Sequence, residues 1–162
     1  VNHLGQAAQA EALVQELQSH RDGIIWIPKK VSRQPTIALY SHATIFCCPS
    51  IYEPFGIINL EAMACGTSVV GSAVGGINEV VVDGETGFLV DPYLSMESPH
   101  DPIAPARFEH GLADAINRLA ADPSLCERMG QAGRERVERH YSWRSIAQQT
   151  YDLYRRLRPT RA

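Results

Sequence analysis

The 162 residues carry 44% hydrophobic and 20% charged side chains and a net charge of −3, an ordinary balance for a soluble globular protein with one real core. With no basic stripe, nucleic acid is excluded as an expected partner. No apolar run approaches the ~18 residues of a membrane span, and no signal peptide is visible, so a soluble, cytoplasmic protein is expected.

Residues 6–20 place Ala8, Ala12, Leu13 and Leu17 on one face and Gln9, Glu11, Gln15 and Glu16 on the other, which predicts an amphipathic helix. Gly23–Ile27 reads as a strand closed by Pro28, and the loop with Lys29 and Lys30 follows at its carboxyl end. These lysines are either solvated or turned toward a phosphate. The next helix begins at Pro35, with Ile37, Tyr40 and Ala43 facing inward. Thr44–Cys48 is a second apolar strand that stops at Pro49.

A helix is expected from near Gly56 to Gly66, entered through Pro54 and Gly56 and marked by Ile57, Ile58, Leu60, Ala64 and Cys65 at helical spacing. Thr67–Gly71 is a third short strand, with Ser72–Gly76 as its exit loop. The Gly75-Gly76 pair permits close backbone approach to a ligand and is equally common in plain turns. Ile77–Val81 predicts one or two helical turns, with Glu79 capping or holding a neighbouring loop. The turn residues Asp83-Gly84 and Thr86-Gly87 then precede a strand at Phe88–Val90. Alternation of apolar strands and helices implies a mostly parallel sheet covered on both faces.

Four prolines make residues 91–105 an irregular excursion, in which His100 and Asp101 read as solvated loop residues. Helices fill residues 106–157. Phe108, Leu112, Ala115, Ile116 and Leu119 form one inward stripe. Ser124 is the expected cap of the next helix, with Leu125, Met129 and Val137 inward and Arg134, Arg136 and Arg139 outward among glutamates. Ser142 is the expected cap of a last helix, whose Trp143, Ile146, Thr150, Tyr151, Tyr154 and Leu157 keep period. Cys47, Cys48, Cys65 and Cys126 fit neither a metal nor a disulfide pattern and read as packed free thiols of a reducing compartment.

The chemistry concentrates at residues 50–66. A strand entering a helix across a Pro/Gly turn leaves free N–H groups where anions bind. Glu53 precedes the turn, and Glu61 lies on the order of 7 Å beyond the helix start. Phosphates on the N–H groups of Gly56, Ile57 and Ile58, with a hydroxylated ring at each carboxylate, would suit a diphosphate carrying a ring at both ends. Favourable placement of glutamates in the helix dipole is the plainer reading of the same spacing.

Glu53-Pro-Phe-Gly-Ile-Ile-Asn-Leu-Glu61 resembles the Glu-x7-Glu signature of the family 4 retaining nucleotide-sugar glycosyltransferases, which have the two-domain GT-B architecture. Pro49-Ser50, Glu61–Thr67, Val74–Glu79 and Asp83–Val90 extend the likeness, with a weaker echo at Tyr141-Ser142-Trp143. The wording Cys48–Gly66 is most similar to bacterial glycogen-synthase-type enzymes.

The resemblance implies an α/β fold: a Rossmann-like parallel sheet with helices on both faces, the carboxyl-terminal half of GT-B, followed by a helical region. The 162 residues would form a single donor-binding domain, with an α/β core at 6–90, the loop at 91–105 and helices at 106–157. It also implies that Glu53 is catalytic and that Phe55, Gly56, Ile57, Ile58 and Glu61 bind the donor, Glu61 through the ribose. No metal or cofactor would be needed.

The donor would be a nucleotide-diphosphate sugar, with ADP- or UDP-glucose the choices the glycogen branch implies, and the acceptor a glycan or small molecule. The loop at Lys29 and Lys30 would border the nucleobase, and the last helix would pack toward the partner domain. Two strands bearing an arginine and a lysine that grip the diphosphate, and the amino-terminal domain with its acceptor site, have no counterpart in this sequence. The chain therefore reads as a fragment, inactive alone, whose sheet either closes by pairing Gly23–Ile27 with Thr44–Cys48 or is completed in trans; homo-oligomerisation stays open. The rival readings are a nucleotide-sugar epimerase or a phosphorylase of the same architecture, neither with a visible signature, and a non-catalytic nucleotide-binding or assembly module.

Overall fold

The computed structural model describes residues 3–95 and 102–157, with side chains from residue 8 onward. Contacts divide the chain into two units, residues 1–32 and 33–162. In the first, helix α1 (His3–His20) matches the expected amphipathic helix. The Gln18 Nε2 donates to the Ile24 carbonyl at 2.9 Å across a turn that uses Gly23 at φ 85°.

The strand expected at Gly23–Ile27 does not form: the segment is irregular, with Ile25 86% exposed. Its composition suits a strand, but an extended segment gains nothing without a neighbouring ladder, and none pairs with it among the described residues.

In the second unit, α2 (Arg33–His42) precedes β1 (Ile45–Cys48), α3 (Ile57–Ala64), β2 (Ser68–Ser72), α4 (Ile77–Val80) and β3 (Gly87–Val90). The sheet is parallel, in the order β1-β2-β3, with Cys47 beside Val70 and Val70 beside Phe88. All five residues of β2 are buried. Because side chains alternate across a strand, Val69 packs into one cluster with Ala62, Met63, Ile77 and Val80, while Val70 enters another with Phe88, Ala115, Leu119 and Met129. Helices thus cover both faces, as the alternating apolar pattern predicts.

In α2, Tyr40 and Ala43 turn inward as expected, but Ile37 stays 37% exposed. The tyrosine packs edge-on against Phe46 at 5.3 Å. Within β1, Cys47 is exposed and Cys48 buried, the opposite-facing arrangement expected of adjacent strand residues; all four cysteines are free thiols.

Past β3, Tyr93 and Ile103 are joined by a 2.8 Å backbone hydrogen bond, and Leu94 and Pro102 form an isolated bridge. His100 and Asp101 lie outside the described residues. Helices α5 (Pro105–Ala121), α6 (Pro123–His140) and α7 (Trp143–Leu157) follow. The α5 stripe is as expected, with Phe108, Ala115 and Leu119 buried.

The cap of α6 is Asp122 rather than Ser124: its carboxylate accepts from the Leu125 N–H at 2.9 Å. Pro123 explains the shift, because a proline suits the first helical turn and leaves the preceding residue as cap. Arg134 and Arg139 face outward, Arg134 pairing with Glu138 at 3.0 Å. Arg136, expected outward, instead turns inward to backbone carbonyls of α4. Ser142 caps α7 as expected, accepting from the Ser145 N–H at 3.2 Å. The apolar side chains of α7 remain uncovered, with Trp143 89% exposed. No helix among the described residues is long and apolar enough to cross a membrane.

Candidate functional site

The link from β1 to α3 runs from Pro49 to Gly56. Gly56 precedes the helix at φ 89°, ψ 35°, a left-handed conformation that a Cβ would strain. That Cβ would also come within 3.2 Å of the Asn59 side chain. A glycine is therefore needed here for the sharp change of direction and for the amide packed beneath it.

Glu53, half-buried, folds its carboxylate over the turn. Its Oε1 accepts from the Gly56 N–H at 3.0 Å and from the Phe55 N–H at 3.4 Å. A carboxylate there also complements the positive end of the helix dipole. One of the three expected anion donors, the Gly56 N–H, is thus already engaged. The N–H groups of Ile57 and Ile58 have no acceptor among the described residues. Ile57 is 59% and Ile58 40% exposed, so these donors stand at an open surface. Phe55 is also exposed and sets its ring edge-on to Tyr141, with centroids 6.5 Å apart.

Glu61 lies further along α3 on the exposed side. Its carboxylate stands near the Tyr40 phenol. Burial first, and then the Glu61 carboxylate, push the Tyr40 phenol above its ordinary value. Neither Glu53 nor Glu61 has a basic partner among the described residues. Lys29 and Lys30 are exposed in the first unit.

Gly75 and Gly76 do allow a close approach, and what approaches is the Glu53 loop itself. A Cβ on Gly75 would strike the Glu53 carbonyl, and one on Gly76 would strike the Phe55 backbone. The Gly76 N–H donates to the Glu53 carbonyl at 3.0 Å. The glycine pair therefore forms the seat of the loop.

The helical spacing of apolar residues in α3 conceals which face is buried. Asn59, Ala62 and Met63 point inward, while Ile57 and Ile58 do not. Asn59 is fully buried, and neither side-chain polar atom has a partner among the described residues. Its signal in the sequence is a single polar residue in line with Ala62 and Met63. Tyr40, Arg136 and Tyr141 join the site only through residues distant in sequence, such as Thr67 Oγ1 with Tyr40 on the α2 side and Tyr141 with Phe55 on the other; spacing could not reveal them.

Residues 5–136 match the family described as glycosyl transferases group 1. An α-maltose-1-phosphate synthase from Mycobacterium tuberculosis is 46% identical over 93% of this chain and 37% of that protein. A glycogen synthase from the same species is 31% identical over 93% of this chain and 33% of that protein. The chain thus spans about a third of the length of these curated relatives.

Among solved structures, a sucrose-phosphate synthase from Thermosynechococcus elongatus superposes with a TM-score of 0.72 at 39% identity, covering 93% of this chain and 34% of that one. HepE from Anabaena, solved in complex with UDP-glucose, gives 0.59 at 27% identity over 75% of this chain and 30% of its own. These neighbours are GT-B glycosyltransferases, and the chain shares the α/β fold of the part of them that it covers. With the Glu-x7-Glu spacing built around one strand–turn–helix and a family match over most of its length, this chain belongs to the group 1 glycosyl transferases.

Proposed function

We propose that the chain is the donor-binding part of a retaining nucleotide-sugar glycosyltransferase. The reading is carried by one observation: the two uncommitted N–H groups of Ile57 and Ile58 at the start of α3, between the Glu53 and Glu61 carboxylates. The donor diphosphate sits on these N–H groups, where negative charge grows as the leaving group departs, and the helix end stabilises it without reorganising.

Glu53 holds the transferred sugar through its hydroxyls. Its Oε1 is already fixed by Phe55 and Gly56, so the carboxylate enters the reaction with its position set. It also favours the positive character that develops at the anomeric carbon. Glu61, beside the Tyr40 phenol, accepts from the ribose hydroxyls. Phe55 walls the sugar side of the turn. Two carboxylates beside a diphosphate repel it, so cationic groups supplied from elsewhere in the intact enzyme are required for tight binding.

The donor is a nucleoside-diphosphate glucose, ADP- or UDP-linked. The choice of glucose is supported by the relatives named for maltose 1-phosphate, glycogen and sucrose phosphate, and by the UDP-glucose complex of HepE. The acceptor is an α-glucan end or a glucosyl phosphate. The greater identity to the maltose-1-phosphate synthase than to the glycogen synthase, 46% against 31%, favours the phosphorylated small acceptor. We place the reaction in the cytoplasm.

The test is product analysis of the intact enzyme with ADP-glucose and UDP-glucose, offered glucan or glucose 1-phosphate. An α-linked glucosyl product is expected; epimerised or merely hydrolysed donor would reject the transferase reading.

A further inference from the structure

Between the Glu53 loop and α6 stands the four-residue helix α4. At its amino end, the Gly76 N–H holds the Glu53 carbonyl at 3.0 Å, and the glycine pair lies flush against the Glu53 and Phe55 backbone. At its carboxyl end, Arg136 Nε donates to the Val80 carbonyl at 2.9 Å and Nη2 to the Glu79 carbonyl at 2.8 Å. The Tyr141 hydroxyl donates to the same Glu79 carbonyl at 2.7 Å. One helical turn is far too short to hold itself. Its position is therefore set by what grips its two ends, and a cation at the carboxyl end is the favourable sign.

Tyr141 reaches the loop by a second route, since its ring packs edge-on against Phe55. The Arg136 guanidinium in turn lies 5.7 Å from the centre of that ring. Tyr141, at the α6–α7 junction, thus reaches the Glu53 loop both through α4 and through Phe55, and Arg136, in the last turns of α6, reaches it through α4 and through the Tyr141 ring.

We infer that Arg136 and Tyr141 are positioning residues for the reaction, setting where the Glu53 carboxylate stands by clamping α4 and Phe55. The kinetic consequence rests on the donor reading proposed above; the mechanical consequence does not. A purely structural clamp would lower stability and leave each folded molecule at parental turnover. A positioning clamp lowers kcat in molecules that are fully folded, and it does so more than it raises the donor KM. The diphosphate N–H groups of Ile57 and Ile58 belong to α3, which packs on α6 and β2 as well as on α4 and so does not depend on α4 alone for its position.

The experiment compares Arg136→Met, Arg136→Lys, Tyr141→Leu and Tyr141→Phe in the intact enzyme, with Arg134→Ala as a surface control, well below each melting temperature. Arg136→Met and Tyr141→Leu should lower kcat about tenfold or more, with donor KM changed less than about threefold. Arg136→Lys, which keeps a cationic donor, and Tyr141→Phe, which keeps the ring on Phe55, should lose less. Both milder variants keep the question decidable should the larger truncations fail to fold.

In parallel, hydrogen–deuterium exchange without donor should quicken at residues 53–56 in Arg136→Met and stay unchanged in Arg134→Ala. Parental kcat in folded Arg136→Met, or faster exchange confined to residues 77–81, would overturn the inference. A parent enzyme that transfers no sugar would instead sink the donor reading, and the exchange result would still decide the clamp.

Discussion

Glu53 commits one carboxylate oxygen to two backbone N–H groups and keeps Oε2 without a partner among the described residues. A group held that firmly can orient a sugar without first being ordered. Glu53→Gln keeps the shape and the acceptor oxygen while removing the charge. Turnover of the intact enzyme should therefore fall by about a hundredfold or more, with little change in donor KM; a loss seen in KM alone would contradict the assignment.

Tyr40 offers a check that needs no substrate. Its folded-state pKa is raised, first by burial and then by Glu61. The stability it contributes is fully present below the unfolded value of about 10 and is lost as pH rises through the folded one. A pH series of chemical denaturation should show a shallower loss above about pH 10 for Tyr40→Phe than for the parent. Parallel curves would mean that folding does not raise the Tyr40 phenol.

At this scale the sequence announces the carboxylates, because their spacing around a Pro-x-Gly turn is local. Asn59, Arg136 and Tyr141 are silent, because their importance comes from burial and from partners distant in the chain.

Elements were legible where local physics decides them. The three strands of the sheet are apolar runs bounded by proline, glycine or turn residues, and each found neighbours to pair with. Gly23–Ile27 has the same composition and failed for want of a ladder, a condition no local pattern encodes.

The start of α6 is a finer case. Asp122 and Ser124 are both good caps, and the proline between them selects the first. Asp122→Ala should cost about 1 kcal/mol and lower the melting temperature by roughly 3 °C. Ser124→Ala should move it far less, since among the described residues the Ser124 hydroxyl accepts from the Arg128 side chain and from no helix N–H. Equal effects would assign the cap wrongly.

For the whole molecule, the decisive fact is proportion. The chain spans 37% of one relative and 34% of a structural neighbour, and its candidate site presents carboxylates and N–H groups with no cation beside them among the described residues. The parallel sheet with helices on both faces followed from the alternation of apolar strands and helices. How a diphosphate is neutralised could not follow, because no basic side chain pairs with Glu53 or Glu61 among the described residues. The chain alone is accordingly expected to transfer no sugar.

The central claim is that the donor diphosphate rests on the start of α3. Hydrogen–deuterium exchange of the intact enzyme, with and without saturating nucleotide sugar, tests it most directly. Slowed exchange at residues 56–58, with residues 105–121 of α5 unchanged, is the predicted result. A donor that saturates the enzyme and leaves residues 53–61 exchanging as before would contradict it.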